Sequence, residues 1–257
     1  MTDNLTCDAF LGGKLFLWQP SKGYRAGIDS VLLAASVTAE FGQHVLDLGC
    51  GVGTASLCLA TRVHGLSIMG VEWLTDYVAL ARRNIAESNM TMKVFETTIE
   101  NLPKEIRQHQ FDHVIANPPY FFSDCRHSAM NPGKEAAISE SVSLKVWVKV
   151  ATKRLAPKGY FFVIHRTERL PDLLTAIRGQ LGSIEIQPIA SRSGQSANLF
   201  LLRAQKNGRA VCRLHPPLIL HKGQKHTHDA ESYRPEIIDI LRRGKGLSWP
   251  RKANSKD

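Results

Sequence analysis

Cysteine is scarce in the sequence and is not arranged as a metal site or a redox pair. The cysteines are odd in number and contain no C-x-x-C spacing; they are Cys7, Cys50, Cys58, Cys125 and Cys212. A disulfide framework needs an even set, and a zinc cluster needs closely spaced ligands. The sequence therefore indicates a protein of a reducing compartment that binds no metal.

Long apolar runs and targeting signals are missing as well. No apolar run approaches the roughly eighteen residues that a membrane-spanning helix requires, and residues 1–5 contain no basic region before an apolar core. We therefore expect a cytoplasmic protein with no membrane partner. Acidic residues are in deficit, because 33 Lys and Arg against 23 Asp and Glu give a net charge of +10. This balance favours a polyanionic partner such as nucleic acid without requiring one.

A glycine-rich loop is the most informative stretch of the chain. An apolar run that contains Asp47 leads directly into Gly49, Gly51 and Gly53, and a helix is predicted behind them. Glycine supplies a positive φ and lets a ligand approach the backbone without meeting a Cβ atom. The pattern indicates a ligand-binding strand-to-helix turn, although alternating glycines also mark ordinary turns.

Glu72 suggests which kind of ligand this loop binds. It ends the next apolar run, about twenty residues after Gly53, where an acid is placed to bind the two hydroxyls of a ribose. The phosphate-binding pattern G-x-x-x-x-G-K-[ST] is missing, and Asp47 puts a negative charge at the loop. A cationic nucleoside fits better than a dinucleotide, so S-adenosylmethionine (SAM) is the preferred cofactor.

The run Asn117-Pro118-Pro119-Tyr120 follows a predicted strand over Phe111–Ala116. Two prolines fix φ and remove two N–H donors, which holds the Asn117 side chain and the Pro118 carbonyl in one orientation. The alternative is a plain turn that closes the strand. We interpret the four residues as the catalytic group, an acceptor-rich pocket with Tyr120 as an aromatic lid whose ring, rather than its hydroxyl, contacts the substrate.

Asp47 to Gly51 (Asp-Leu-Gly-Cys-Gly) followed by Asn117 to Tyr120 resembles the class I methyltransferases that methylate planar exocyclic or amide nitrogens. The resemblance covers nearly the whole chain. It implies an α/β fold with a Rossmann-like seven-stranded sheet, mostly parallel, with an antiparallel C-terminal hairpin and helices on both faces. It also implies SAM as cofactor, bound by Asp47, Gly49, Cys50, Gly51 and Glu72.

The segment 23–35 resembles a bacterial family that methylates N6 of an adenine next to the anticodon of a valine tRNA. In that family the segment helps to close the cofactor site, so Arg25 and Asp29 are candidate cofactor neighbours. Asp29 is equally a candidate N-cap of a helix over residues 30–37.

Three further residues are candidates for the cofactor's adenine ring. Trp73 either flanks the ring or anchors a helix start in the core, and Thr98 and Ile99 lie in the loop after the third strand. Many relatives carry an Asp where Thr98 stands. Thr98 has no charge, so its contact stays open.

The 257 residues are expected to form one domain, with an N-terminal extension (1–44), a cofactor-binding core (45–205) and a C-terminal extension (206–257) with a frayed basic end from Arg242 onward. The polar loop 121–141 is a candidate lid, and strands over 184–190 and 198–205 form the predicted hairpin.

Two sets of side chains are expected at the surface: the basic face of a helix over 143–155 (Lys145, Lys149, Lys153 and Arg154) and the tail histidines (His215, His221, His226 and His228), for which a metal site is disfavoured.

The expected reaction is methylation of adenine N6 in the tRNA anticodon loop. The amine is a poor nucleophile until acceptors hold its hydrogens, and Asn117 Oδ1 and the Pro118 carbonyl supply those acceptors.

The first alternative is a protein-glutamine methyltransferase of release factors, whose relatives usually carry a helical domain before the glycine loop. A ribosomal-RNA guanine or DNA adenine methyltransferase and a non-catalytic RNA-binding module are further alternatives.

Overall fold

One central sheet organises the protein, which is described here from a computed structural model over residues 4–120, 142–223 and 232–250. Its seven longer strands are β3 (His44–Leu48), β4 (Ser67–Glu72), β5 (Met92–Glu96), β6 (Phe111–Ala116), β7 (Leu155–Arg166), β8 (Gly182–Ala190) and β9 (Ala197–Gln205). The strand order is β8-β9-β7-β6-β3-β4-β5, and the two-residue strands β10 (Arg213–Leu214) and β11 (Leu218–Ile219) both pair with β8.

Strands β3 to β7 run parallel, whereas β9 is antiparallel to both β7 and β8. The predicted Rossmann-like sheet with an antiparallel C-terminal hairpin is therefore confirmed. The short strands β10 and β11 were not predicted, because two residues are too few to show an alternating pattern.

Helices cover both faces of the sheet, as predicted. They are α1 (Ile28–Ser36), α2 (Thr54–Arg62), α3 (Thr75–Ser88), α4 (Lys104–Gln108), α5 (Leu144–Arg154), α6 (Leu170–Ile177) and α7 (Pro235–Arg243). Neighbouring strand residues such as Phe161 and Phe162 belong to opposite apolar clusters, one including α1 and α2 and the other α5 and α6. Because successive side chains of a strand alternate between faces, the sheet is buried on both sides. No helix within the described ranges is both long and apolar enough to cross a bilayer.

The N-terminal hairpin of β1 (Leu5–Phe10) and β2 (Leu15–Pro20) forms a separate antiparallel pair. Asn84 of α3, which is fully buried, attaches this hairpin to the glycine loop. Its Oδ1 accepts the Trp18 N–H at 2.8 Å, and its Nδ2 donates to the carbonyls of Trp18 at 3.1 Å and Val52 at 3.0 Å. This buried amide therefore helps to set the position of the chain that follows β2.

The prediction that Asp29 caps a helix is wrong. Helix α1 begins at Ile28 with Gly27 as the N-cap residue, and no side chain caps it. Asp29 lies inside the first turn, and its carboxylate instead accepts a hydrogen bond from Tyr120. An acidic residue in the first turn interacts favourably with the helix dipole. Because Asp29 lies so close to the helix start, the sequence alone made it look like the N-cap residue.

The chain up to Pro250 is not the frayed end that we expected. Trp249 is 7% exposed, and its indole N–H donates to the Ser36 carbonyl at 2.8 Å. Helix α7 buries Ile237 and Ile240 and precedes this anchor. The short apolar side of α7 was not recognised in the sequence because charged residues lie between and beside its apolar residues. Residues 251–257 lie outside the described ranges.

Two surface assignments are also wrong. His215 is 8% exposed and pairs with Glu185 at 2.9 Å, so it is a buried partner of the sheet edge. Arg154 is buried too, and it donates to the carbonyls of Ile106 and Arg107. The exposed basic face of α5 reduces to Lys145, Lys149 and Lys153. His226, His228 and the proposed lid 121–141 lie outside the described residues.

Candidate active site

A pocket opens where β3 and β6 end. Here the chain passes from β3 to β4 on one side and from β6 to β7 on the other, and in open α/β sheets ligands bind at such a switch point. The pocket has two walls. The loop wall comes from Asp47, Gly49, Cys50, Gly51, Val52, Thr54 and Ala55, and the N-terminal wall from Gln19, Tyr24, Ala26 and Ser30; Tyr77 and Asn117 complete the lining.

The loop wall depends on glycine for two different reasons. Gly49 and Gly51 have φ values of +65° and +54°, in the left-handed region. A Cβ atom on Gly49 would lie 2.7 Å from the Trp147 ring, whereas one on Gly51 would meet nothing within 4 Å. Gly49 therefore allows close packing against α5, and Gly51 lies beside open space.

Glu72 holds this loop in place. Its carboxylate accepts the N–H groups of Gly51, Trp73 and Leu74, each at 2.9 Å, and the residue is 7% exposed. The acid expected to bind a ribose therefore fixes the glycine loop.

Asp47 gives the pocket its electrostatic character. It is 2% exposed and accepts a hydrogen bond from Ser56 at 2.7 Å. Burial, and after it the charge of Glu72, raises the Asp47 pKa to about 7. Among the described residues that line the pocket there is no Lys, Arg or His to offset these acids.

These features fit SAM, which carries a sulfonium and an ammonium group. A cation relieves the repulsion between Asp47 and Glu72, and the buried Thr54 hydroxyl in the same wall has no hydrogen-bond partner among the described residues. Asp47, Glu72 and the backbone around Gly51 are the groups that would hold this cofactor.

Asn117 brings the predicted acceptor into the same pocket. Its Nδ2 donates to the Tyr24 hydroxyl at 3.1 Å, and its Oδ1 lies 3.0 Å from the Tyr120 hydroxyl. The Tyr120 hydroxyl also donates to Asp29 Oδ2 at 2.7 Å. Burial, followed by the nearby Asp29 charge, raises the Tyr120 pKa far above its usual value, so Tyr120 stays a protonated donor. Pro118 is buried and Pro119 is exposed.

Four predicted cofactor neighbours lie apart from the pocket lining: Arg25, Trp73, Thr98 and Ile99. Arg25 pairs with Asp8 at 2.7 Å, and Thr98 is exposed with its carbonyl accepting the Asn101 N–H at 3.1 Å. Ile99 is buried in the core, and Trp73 is half-buried. Cys50 lines the pocket, where burial raises its thiol pKa well above the usual value. No group of three or more potential metal ligands occurs within the described ranges.

Sequence reasoning missed most of the N-terminal wall. Tyr24 is 51% exposed at the pocket, and its backbone carbonyl accepts the Tyr77 hydroxyl at 3.0 Å. Gln19 is buried and its Oε1 accepts the Ala26 N–H at 2.8 Å. One signal was available, because Asn84 is a polar residue on the apolar side of the α3 pattern. A buried Asn needs partners, and they lie in this segment.

The strand order, the glycine loop with its two acids and the Asn-Pro-Pro-Tyr run define an SAM-dependent methyltransferase of class I. The chain belongs to the methyltransferase small domain family, whose model matches residues 25–187.

Curated relatives agree with this assignment, and a solved structure agrees with the fold. A tRNA1(Val) (adenine(37)-N6)-methyltransferase of Shewanella frigidimarina is 30% identical over 193 residues, 72% of this chain and 76% of the relative. The enzyme of the same name from Parabacteroides distasonis is 28% identical over 64% of this chain and 69% of its own length. A structure described as a predicted O-methyltransferase from Agrobacterium tumefaciens has a TM-score of 0.67 at 24% identity, covering 88% of this chain and 100% of its own. This last likeness concerns the fold alone.

Proposed function

We propose that this protein transfers a methyl group from SAM to N6 of an adenine in tRNA, in the cytoplasm, and that the adenine is the one at position 37 of a valine tRNA, as the relatives' name states. The observation that carries the proposal is that Asn117 lines the same pocket as Asp47, Gly49 and Gly51. An amide oxygen for the amine and a site for the cationic cofactor are thus adjacent.

The side chains have separate tasks in this proposal. When bound, SAM supplies the methyl group. Asn117 accepts a hydrogen from the target amine and favours a tetrahedral nitrogen, so its oxygen contributes most in the transition state. The adenine leaves its stack in the anticodon loop to reach this oxygen. Tyr120 stays protonated and does not act as a base; the methylated ammonium loses its proton to water.

The tRNA is proposed to bind to exposed basic side chains. Lys145, Lys149 and Lys153 lie on α5, which begins near the end of the sheet that carries the pocket, and Arg166 is exposed at the end of β7 with its guanidinium 5.6 Å from the Tyr120 ring. Phosphate contacts of this kind weaken with salt. Affinity for tRNA should therefore fall at least tenfold between about 50 and 200 mM salt, and a filter-binding series that shows no decline would exclude these contacts.

The direct test is methyl transfer from labelled SAM to total tRNA, total ribosomal RNA and a release-factor protein, followed by nucleoside or amino-acid analysis. The proposal predicts label in N6-methyladenosine from tRNA. Label in glutamine of the release factor, or in guanosine of ribosomal RNA, would replace it with one of the alternatives.

A further inference from the structure

The phenolic proton of Tyr120 has two acceptors within reach and can serve only one of them fully. Asp29 Oδ2 lies 2.7 Å from the hydroxyl oxygen, and Asn117 Oδ1 lies 3.0 Å from it. A charged carboxylate at this distance forms the stronger, charge-assisted bond. The proton therefore lies on the Asp29 side, and the contact with Asn117 is the weaker one.

The other half of the Asn117 amide is already engaged. Its Nδ2 donates to the Tyr24 hydroxyl at 3.1 Å, which fixes the face of the amide that carries Oδ1. An amide oxygen has two lone pairs. A Tyr120 proton on Asn117 Oδ1 would occupy one of these lone pairs and so reduce the capacity of the oxygen to accept a substrate hydrogen.

We propose that Asp29 is a positioning residue that keeps the Tyr120 hydroxyl proton away from Asn117 Oδ1 and so leaves that oxygen available to the target nitrogen. Without the Asp29 carboxylate, the hydroxyl turns to its next acceptor, Asn117 Oδ1, and competes with the substrate amine. This inference rests on the proposed function, because it concerns a nitrogen that needs an acceptor.

This role makes an unusual prediction about a pair of substitutions. Asp29→Ala should lower kcat about 30-fold, the order of magnitude for weakening one transition-state hydrogen bond. Tyr120→Phe removes the competing proton and should lower kcat by no more than about 5-fold. The double variant should recover to within about 3-fold of Tyr120→Phe, because no hydroxyl remains to occupy Asn117 Oδ1.

The experiment measures kcat and KM for the acceptor that the wild-type protein methylates, together with SAM affinity by calorimetry and the melting temperature. SAM affinity should stay within about 2-fold in every variant, since Asp29 acts on the acceptor side. Asp29→Asn keeps the side-chain shape with a weaker, neutral acceptor, and its intermediate loss should also be suppressed by Tyr120→Phe. Asp29→Asn tests the same point if Asp29→Ala does not fold. Glu105→Ala, which removes an exposed acid on α4, is the matched control with wild-type kcat.

A double variant as slow as Asp29→Ala, or slower, would overturn the inference and leave Asp29 with a structural role only. An Asp29→Ala variant with wild-type kcat would also overturn it. Both results are distinct from failure of the proposed function, which would appear as a wild-type protein that does not methylate tRNA.

Discussion

The two walls of the pocket are built in different ways. The loop wall is one continuous stretch that leaves β3 and enters α2, so its geometry follows from local sequence. The N-terminal wall is held at the pocket by contacts with the distant helix α3, where Asn84 hydrogen-bonds Trp18 and Val52 and Tyr77 donates to the Tyr24 carbonyl. A binding site can therefore have one half specified by a local motif and the other half by tertiary contacts.

The largest expected effect concerns the loop wall. Gly49→Ala should destabilise the protein by about 2–4 kcal/mol, because a left-handed φ is added to a Cβ contact with Trp147 at 2.7 Å. Gly51→Ala is the matched control, with the φ cost alone, and should lose about 1–2 kcal/mol. Denaturant unfolding of both variants measures the loss of stability. Equal losses would show that the contact between the added Cβ atom and Trp147 does not destabilise the protein.

The N-terminal wall is tested through its tertiary anchor. Asn84→Ala removes three hydrogen bonds and leaves buried backbone groups without partners, so the protein should lose about 1–3 kcal/mol of stability. SAM affinity should fall several-fold, because Gln19 and Tyr24 are no longer held at the pocket.

Ser88→Ala, on the same helix, removes only a local bond to Ile85 and should change stability by less than about 0.5 kcal/mol. If calorimetry gave wild-type SAM affinity for Asn84→Ala, Asn84 would not be needed to hold the N-terminal wall at the cofactor site.

A smaller effect follows from the pKa of Asp47, which rises from 3.8 to about 7 on folding. The folded protein then holds this proton more tightly than the unfolded chain, so ligand-free stability should fall as pH rises from about 4 to about 7, by at most about 1.4 kcal/mol per pH unit. Asp47→Asn should remove this slope and weaken SAM binding. Urea unfolding at pH 5, 6, 7 and 8 measures how stability depends on pH. If the wild-type protein and Asp47→Asn showed the same dependence, Asp47 would be ionised throughout this pH range.

Much of the fold and half of the site could be predicted from local pattern. Strand β6 has the predicted bounds, because it is an apolar run that ends clearly before the two prolines. Asn84, Trp249 and Asp29 could not be placed, since their partners lie far away in sequence: Trp18, Ser36 and Tyr120. The same reason explains why Tyr24 was missed, although the neighbouring Arg25 was noted by resemblance. Periodicity shows which face of an element is buried, but not which polar group it meets.

The most direct test of the account measures single-turnover methylation of tRNA and SAM affinity on the same preparation of Asn117→Ala. The account predicts that turnover falls by about 10²–10³-fold, because the lost acceptor contributes mainly in the transition state. It also predicts that SAM affinity stays within about 2-fold, because Asp47 and Glu72 remain in place. A variant that methylates tRNA at the wild-type rate would contradict the account and would reduce Asn-Pro-Pro-Tyr to a turn that closes β6.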